Sequence, residues 1–194
     1  MTSIKPFQAT DIFELNPINL DPLTENFQPA FYLQYLTEWP SLFFKSTEIT
    51  APAAAPTDVC SGYMMGKTEG SGINWHTHIT AVTVNSHYRR LGLASYLCLY
   101  LQESTSVEPH NAYFVDLFVR VTNKLAINLY EKLGYSIYRR VVGYYGSSYP
   151  SDRNKLDDAS DGFDMRLSLP RDVKKETVRE NGHKVYVLPD EVKF

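Results

Sequence analysis

Trp75-His-Thr-His-Ile-Thr-Ala-Val-Thr-Val84 is followed, after Asn85 to Tyr88, by Arg89-Arg-Leu-Gly-Leu-Ala94. The first stretch is rich in β-branched residues and alternates at its C-terminal end, which marks a half-buried strand. From Leu91 to about Glu103 the apolar positions recur at helical spacing, so the second stretch opens a helix. Gly92 lets the backbone approach a ligand with no Cβ in the way, and the first N–H groups of a helix have no intrahelical partner. A strand, a glycine-bearing turn and a helix start together make an anion site of the size of a pyrophosphate.

Working outward, Tyr113 to Val119 reads as a strongly apolar strand and Asn123 to Leu133 as a helix, closed by Gly134 as the residue after its C-cap. Gly134 to Tyr145 reads as one more strand and Phe163 to Leu169 as the last. Upstream, Ser3 to Phe7 is a short strand, and Thr10-Asp11 caps a brief helix. A loop with two prolines covers Asn16 to Asn26, and a helix from Phe27 to Trp39 carries Phe31, Tyr32, Tyr35, Leu36 and Trp39 until Pro40 stops it. Leu42 to Lys45 and Val59 to Lys67 are strands, with the Ala/Pro/Thr stretch from Thr50 to Thr57 as a loop. Strands joined by crossover helices give an α/β fold with a mixed sheet. The domain is expected over residues 1–169, with a charged C-terminal tail, solvated or partner-binding, over 170–194.

The 194 residues suit a single domain. Hydrophobic residues at 43% and charged residues at 21% are ordinary globular values. A net charge of -3 gives no reason to expect nucleic acid or an acidic membrane as a direct ligand. The N-terminus has no apolar leader, and no stretch approaches the roughly 20 apolar residues that span a bilayer. Cys60 and Cys98 are isolated and fit no disulfide framework, so both are expected as buried thiols.

The pattern Arg89, Gly92, Ala94 between strand and helix resembles the phosphate loop of the GNAT acetyltransferases, and the downstream run Val119 to Asn123, Ala126, Tyr130 and Leu133-Gly134-Tyr135 is similar to that family's second half. The resemblance implies a GNAT fold, a mixed central sheet flanked by helices, with strands splayed at the acetyl-CoA site. It implies that Val82 and Val84 offer backbone groups to the pantetheine arm. Arg89, Arg90, Leu91, Gly92, Leu93 and Ala94 would hold the pyrophosphate, and Asn123 and Tyr130 would meet the rest of CoA, with Tyr130 facing its sulfur. Read by themselves, Asn123 is equally a helix N-cap and Tyr130 an amphipathic core residue.

Asn19 to Phe27, Phe31 to Leu36, Trp75-His76, Phe114 to Val121 and Tyr144-Tyr145 narrow the resemblance to the catalytic subunits of N-terminal acetyltransferase B. That implies acetylation of protein N-termini beginning Met-Asp, Met-Glu, Met-Asn or Met-Gln. It also implies a large helical-repeat auxiliary subunit, docking at the ribosome in the cytoplasm, and nascent chains as substrate. Residues assigned to the peptide are Glu25, Phe27, His78, Thr80, Ala81, Phe118, Tyr144 and Tyr145. His78 and Thr80 share one strand face and bring donors for an acidic or amide side chain. Phe27, Phe118 and the tyrosines would enclose the first Met, although Phe118 also suits the core and Tyr144-Tyr145 a surface pair. The sequence departs from the family at Gly143, where an acidic residue is more familiar.

Acetyl transfer to an α-amine, whose reference pKa is about 7.7 to 8.0, needs no strong base. Tyr130 is the candidate acid toward the departing sulfur, a backbone N–H near Val82 polarises the carbonyl, and His78, or a water held by His78 and Tyr145, is the candidate base. A GNAT enzyme acting on lysine side chains or small amines is the rival reading; a lysine amine near 10.4 calls for a carboxylate base, and Asp116 is the carboxylate within reach. His76, His78 and His87 offer no regular third metal ligand, so no metal is expected.

Overall fold

The computed structural model describes residues 2–21, 24–50, 57–146 and 152–192. In chain order the elements are β1 (Thr2–Pro6), α1 (Asn16–Asn19), α2 (Pro29–Glu38), β2 (Phe43–Thr50), β3 (Thr57–Glu69), β4 (His76–Val84), α3 (Leu93–Thr105), β5 (Phe114–Arg120), α4 (Lys124–Lys132), β6 (Ser136–Val141), β7 (Gly162–Ser168) and β8 (Tyr186–Val187). The strands form one mixed sheet in the order β1-β2-β3-β4-β5-β7-β6-β8. The chain divides into two units, Met1–Lys67 with Ile79–Ser104, and Thr68–His78 with Thr105–Phe194.

The first unit is built on the antiparallel pairs β1–β2 and β2–β3, with a register shift in β2 between Ser46 and Thr47. Its core is aromatic: Phe7 stacks on Phe43 at 4.0 Å, and Tyr32, Tyr35 and Tyr63 are buried beside them. Helix α2 begins at Pro29, where a missing N–H costs nothing, and buries Tyr32 and Tyr35. It is shorter than the expected Phe27–Trp39, because Phe27 and Gln28 lie outside it and the Phe27 N–H is given to the Tyr32 hydroxyl. Each such aromatic removed from water contributes about 1.5–3 kcal/mol. Within the expected loop from Asn16, four residues form α1. The Ala/Pro/Thr stretch falls largely on 51–56, outside the described residues.

In the second unit β5 pairs antiparallel with β7 and β7 with β6, while β8 runs parallel to β6. The beginning of β4 pairs in parallel with β5 through His76↔Phe114, Thr77↔Val115 and His78↔Asp116. That register covers three residues of a nine-residue strand.

Two sequence expectations change here. The strand expected over Gly134 to Tyr145 ends at Val141, because Gly143 has φ of +67° and its N–H is captured by the Asp161 carboxylate at 2.7 Å, which turns the chain out of the sheet. The charged run after Pro170 is not merely solvated. The buried Asp172 carboxylate accepts the N–H groups of Glu176 at 2.9 Å and Thr177 at 3.0 Å, and the Ser168 hydroxyl at 3.1 Å. Those hydrogen bonds outweigh burial and hold its carboxyl below the usual carboxylate range. Further on, the Gly182 backbone lies against the Ile137 carbonyl so closely that a Cβ there would come to 1.9 Å of its oxygen. No helix among the described residues is long and apolar enough to cross a membrane.

Candidate active site

The first unit carries the loop from Arg89 to Ala94, which leads from β4 into α3. After β4, Asn85 ties the turn down by giving its N–H to the Ser61 carbonyl at 2.9 Å and accepting the His87 N–H on its side-chain oxygen at 3.0 Å. The Arg89 guanidinium bridges Asp21 at 2.9 Å and donates from Nε to the Val84 carbonyl at 3.2 Å. Arg90 (φ +68°) and Gly92 (φ +82°) are both left-handed, so the helix expected from Leu91 starts at Leu93 instead. Alternating right- and left-handed residues turn successive N–H groups toward one concavity. A Cβ on Gly92 would meet nothing within 4 Å, so the space beside the helix start is open. Buried Leu93, Leu97, Cys98 and Leu101 fasten α3 behind it. Open space, a left-handed turn and the N-terminal amides of a 13-residue helix suit a pyrophosphate. Arg89 serves this loop by shaping it, since its side chain is committed to Asp21 and Val84.

On the same unit the Thr80 hydroxyl is hydrogen-bonded to the Tyr35 hydroxyl at 2.7 Å, a partner that sequence spacing gave no sign of. Ala81 packs against the aromatic core, and Phe27 stacks on Phe31 at 4.7 Å with its edge toward Tyr32. Glu25 is exposed in the loop before Phe27. Burial pushes the Cys60 thiol up to about 11 and the Cys98 thiol to about 12, so neither is a thiolate nucleophile at neutral pH.

The second unit carries a buried histidine–carboxylate cluster. Asp116 is fully buried on β5, and its Oδ1 lies 2.9 Å from His78 Nδ1 and 3.5 Å from His76 Nε2. Burial would raise its carboxyl, but His78, His76 and Arg166 together hold it below the usual carboxylate range. The two imidazoles are thus turned onto one carboxylate. Phe118 approaches the His78 ring at 5.7 Å and stacks on Tyr144 at 4.4 Å; Tyr144 meets Tyr145 edge-on at 4.9 Å, and the Arg120 guanidinium lies 4.1 Å over the Tyr145 ring. His78, Phe118, Tyr144 and Tyr145 therefore form one continuous group. Gly162 lets the tyrosine pair settle, as a Cβ there would reach 3.1 Å from Tyr145 Cε2. Asn123 is the N-cap of α4, accepting the Ala126 N–H at 3.2 Å, and Tyr130 is buried with its ring edge-on to Tyr135 at 5.6 Å.

His76 itself is wholly buried, stacked on Phe114 at 4.6 Å, with its Nδ1–H donated to the Asn74 carbonyl at 2.7 Å. Burial alone would lower its pKa, but Glu69 and Asp116 outweigh it and the value is raised. His76 thus binds a proton more tightly folded than unfolded. The resulting stability is complete below the unfolded value near 6.5 and is lost as pH rises through the folded one. Thermal melts from pH 6 to 8.5 should show a falling midpoint that is flattened in His76→Gln.

Residues 19–135 match the family model described as "Acetyltransferase (GNAT) family". The whole chain is 53% identical to the whole N-terminal acetyltransferase B complex catalytic subunit of Saccharomyces cerevisiae. The chain belongs to the GNAT acetyltransferase family. Within that family it groups with the catalytic subunits of N-terminal acetyltransferases. A solved NatB acetyltransferase complex bound to a bisubstrate inhibitor contains a chain 59% identical, superposing with a TM-score of 0.85 over 99% of both chains. Naa20 of Chaetomium thermophilum in complex with a bisubstrate analogue is 40% identical with a TM-score of 0.79, covering 99% of this chain and 100% of that one. The GNAT match spans the loop from Arg89 to Ala94, His78, Asp116, Asn123 and Tyr130, while the Tyr144-Tyr145 pair lies beyond it.

Proposed function

We propose that this GNAT enzyme is the catalytic subunit of a NatB-type N-terminal acetyltransferase. It transfers acetyl from acetyl-CoA to the α-amine of nascent proteins that begin Met-Asp, Met-Glu, Met-Asn or Met-Gln. It works in the cytoplasm, held at the ribosome by a large helical-repeat auxiliary subunit, and it does not touch nucleic acid directly.

The observation that carries this reading is the state of the one carboxylate beside the candidate base. A lysine amine near 10.4 calls for a carboxylate poised to take a proton, whereas Asp116 is sealed from solvent and occupied by His76 and His78. An imidazole matches the milder demand of an α-amine near 7.7 to 8.0. His78 takes the proton that the amine loses as its nitrogen bonds to the acetyl carbon. As the carbon–sulfur bond breaks, the Tyr130 hydroxyl gives its proton to the thiolate. The loop from Arg89 to Ala94 holds the pyrophosphate, with Asn123 and the backbone of Val82 and Val84 on the rest of CoA, and a backbone N–H near Val82 polarising the carbonyl. Phe27, Phe118, Tyr144 and Tyr145 enclose Met, while Glu25, Ala81, Thr80 and His78 border the next residues.

Turnover on peptides differing only in their first two residues tests the substrate class. Met-Asp, Met-Glu, Met-Asn and Met-Gln should all exceed Met-Leu and Ser-Glu, and equal rates would overturn the second-residue preference. Tyr130→Phe should lower kcat by about 10²-fold with peptide KM unchanged; undiminished turnover removes Tyr130 from the acid role.

A further inference from the structure

The parallel register places His78 and Asp116 directly opposite one another, and the antiparallel register places Arg166 on the other side of Asp116. His78 Nδ1 lies 2.9 Å from Asp116 Oδ1. An ionised carboxylate only accepts hydrogen bonds, so this contact requires the proton to sit on Nδ1. Neutral His78 then carries its lone pair on Nε2. Resting on the reading above in which His78 is the base, we propose that Asp116 is a positioning residue that fixes the Nδ1–H tautomer and ring angle of His78, leaving Nε2 to take the amine proton.

The surroundings fit that task. From β4, His76 Nε2 approaches the same Oδ1 at 3.5 Å, and Glu69 of β3 faces His76 at 3.6 Å. From β7, Arg166 is joined to Asp164, which also pairs with Arg139 of β6. Burial, followed by Asp116's own charge, raises the Asp164 carboxyl against the pull of Arg166 and Arg139. Asp116 thus has His78 and His76 on one flank and the charge of Arg166 on the other, which hold its carboxyl low against burial. Phe118 bounds the ring of His78 on a further side, so its rotation is restricted from two directions. A proton passed to His78 Nε2 creates an imidazolium beside a fixed anion, and nothing has to move to stabilise it.

The test uses the full chain with the auxiliary subunit present in every assay. ¹⁵N spectra of histidine-labelled enzyme, with the His78 signals assigned by their loss in His78→Ala, should show the Nδ1–H tautomer. Asp116→Asn can turn its NH2 toward Nδ1 and should shift His78 to the Nε2–H form. It should also lower kcat by on the order of 10²-fold with KM for acetyl-CoA unchanged. Asp116→Asn combined with His78→Ala should be no slower than His78→Ala alone, whereas a purely structural role for Asp116 would add its own loss. An active His78→Ala would overturn the base assignment. An inactive His78→Ala beside an unimpaired Asp116→Asn would overturn only the positioning role. If Asp116→Asn does not fold, an Nε2–H tautomer in the unmodified enzyme overturns it by itself.

Discussion

Replacing His78 by Ala is expected to lower kcat/KM on a Met-Asp peptide by about 10²–10⁴-fold, the range typical of a positioned acid–base group. Binding of acetyl-CoA should be unchanged, because the loop from Arg89 to Ala94 is built from Asn85, Asp21 and the Val84 carbonyl and not from His78. The fold should tolerate the change, since losing His78 leaves Asp116 with His76 at 3.5 Å and the charge of Arg166 nearby. Stopped assays over a range of peptide concentrations, with acetyl-CoA saturating, separate the two quantities. A loss confined to acetyl-CoA affinity would assign His78 to cofactor binding instead.

The largest stability effect should follow Asp161→Ala. Asp161 is fully buried, and one oxygen accepts the Gly143 N–H at 2.7 Å while the other accepts Arg140 Nε at 2.8 Å and the Asp157 N–H at 3.1 Å. Burial works against the Arg140 charge, but Asp161 and Asp158 outweigh it and hold the guanidinium protonated. Without Asp161 that buried cation keeps only Asp158, whose side chain is 69% exposed. Stranding a buried charge costs about 3–5 kcal/mol. For a chain of 194 residues this corresponds to a fall of about 10 °C in the melting midpoint. Asp158→Ala, removing an exposed partner, should cost about 0–1 kcal/mol. Because Asp161 also fixes the turn at Gly143, peptide KM should rise in Asp161→Ala even below the melting transition, as Tyr144 and Tyr145 lose their anchor.

Where local chemistry decides the outcome, the sequence was legible. Gly92 announced a turn into a helix, Asn123 an N-cap, Gly134 a helix end and Pro40 a stop, and all four act so in the structure. The helix start was displaced by two residues because nothing local says that Arg90 shares the left-handed conformation with Gly92. Partners set by strand register were hidden. Asp116 stands out in the run Phe114-Val-Asp-Leu-Phe-Val119 as a carboxylate among apolar residues, yet its pairing with His78 depends on a parallel alignment between residues 38 apart in the chain. Tyr35 of α2 and Thr80 of β4, 45 apart, meet because the helix packs on the strand, which spacing does not display. After Pro170 the charge density pointed to a solvated or partner-binding tail. A single carboxylate, Asp172, gathers that segment into turns through backbone N–H groups, an arrangement composition does not display.

The reading as an N-terminal acetyltransferase is tested most directly by locating the acetyl group. The enzyme, together with the proposed auxiliary subunit, is given acetyl-CoA and a Met-Asp peptide containing an internal lysine, in one form with a free N-terminus and in another with the N-terminus blocked. Fragment masses should place the acetyl group on the α-amine of the first peptide and leave the second unmodified. Acetylation of the lysine in the blocked peptide, at a rate comparable to the first reaction, would contradict it.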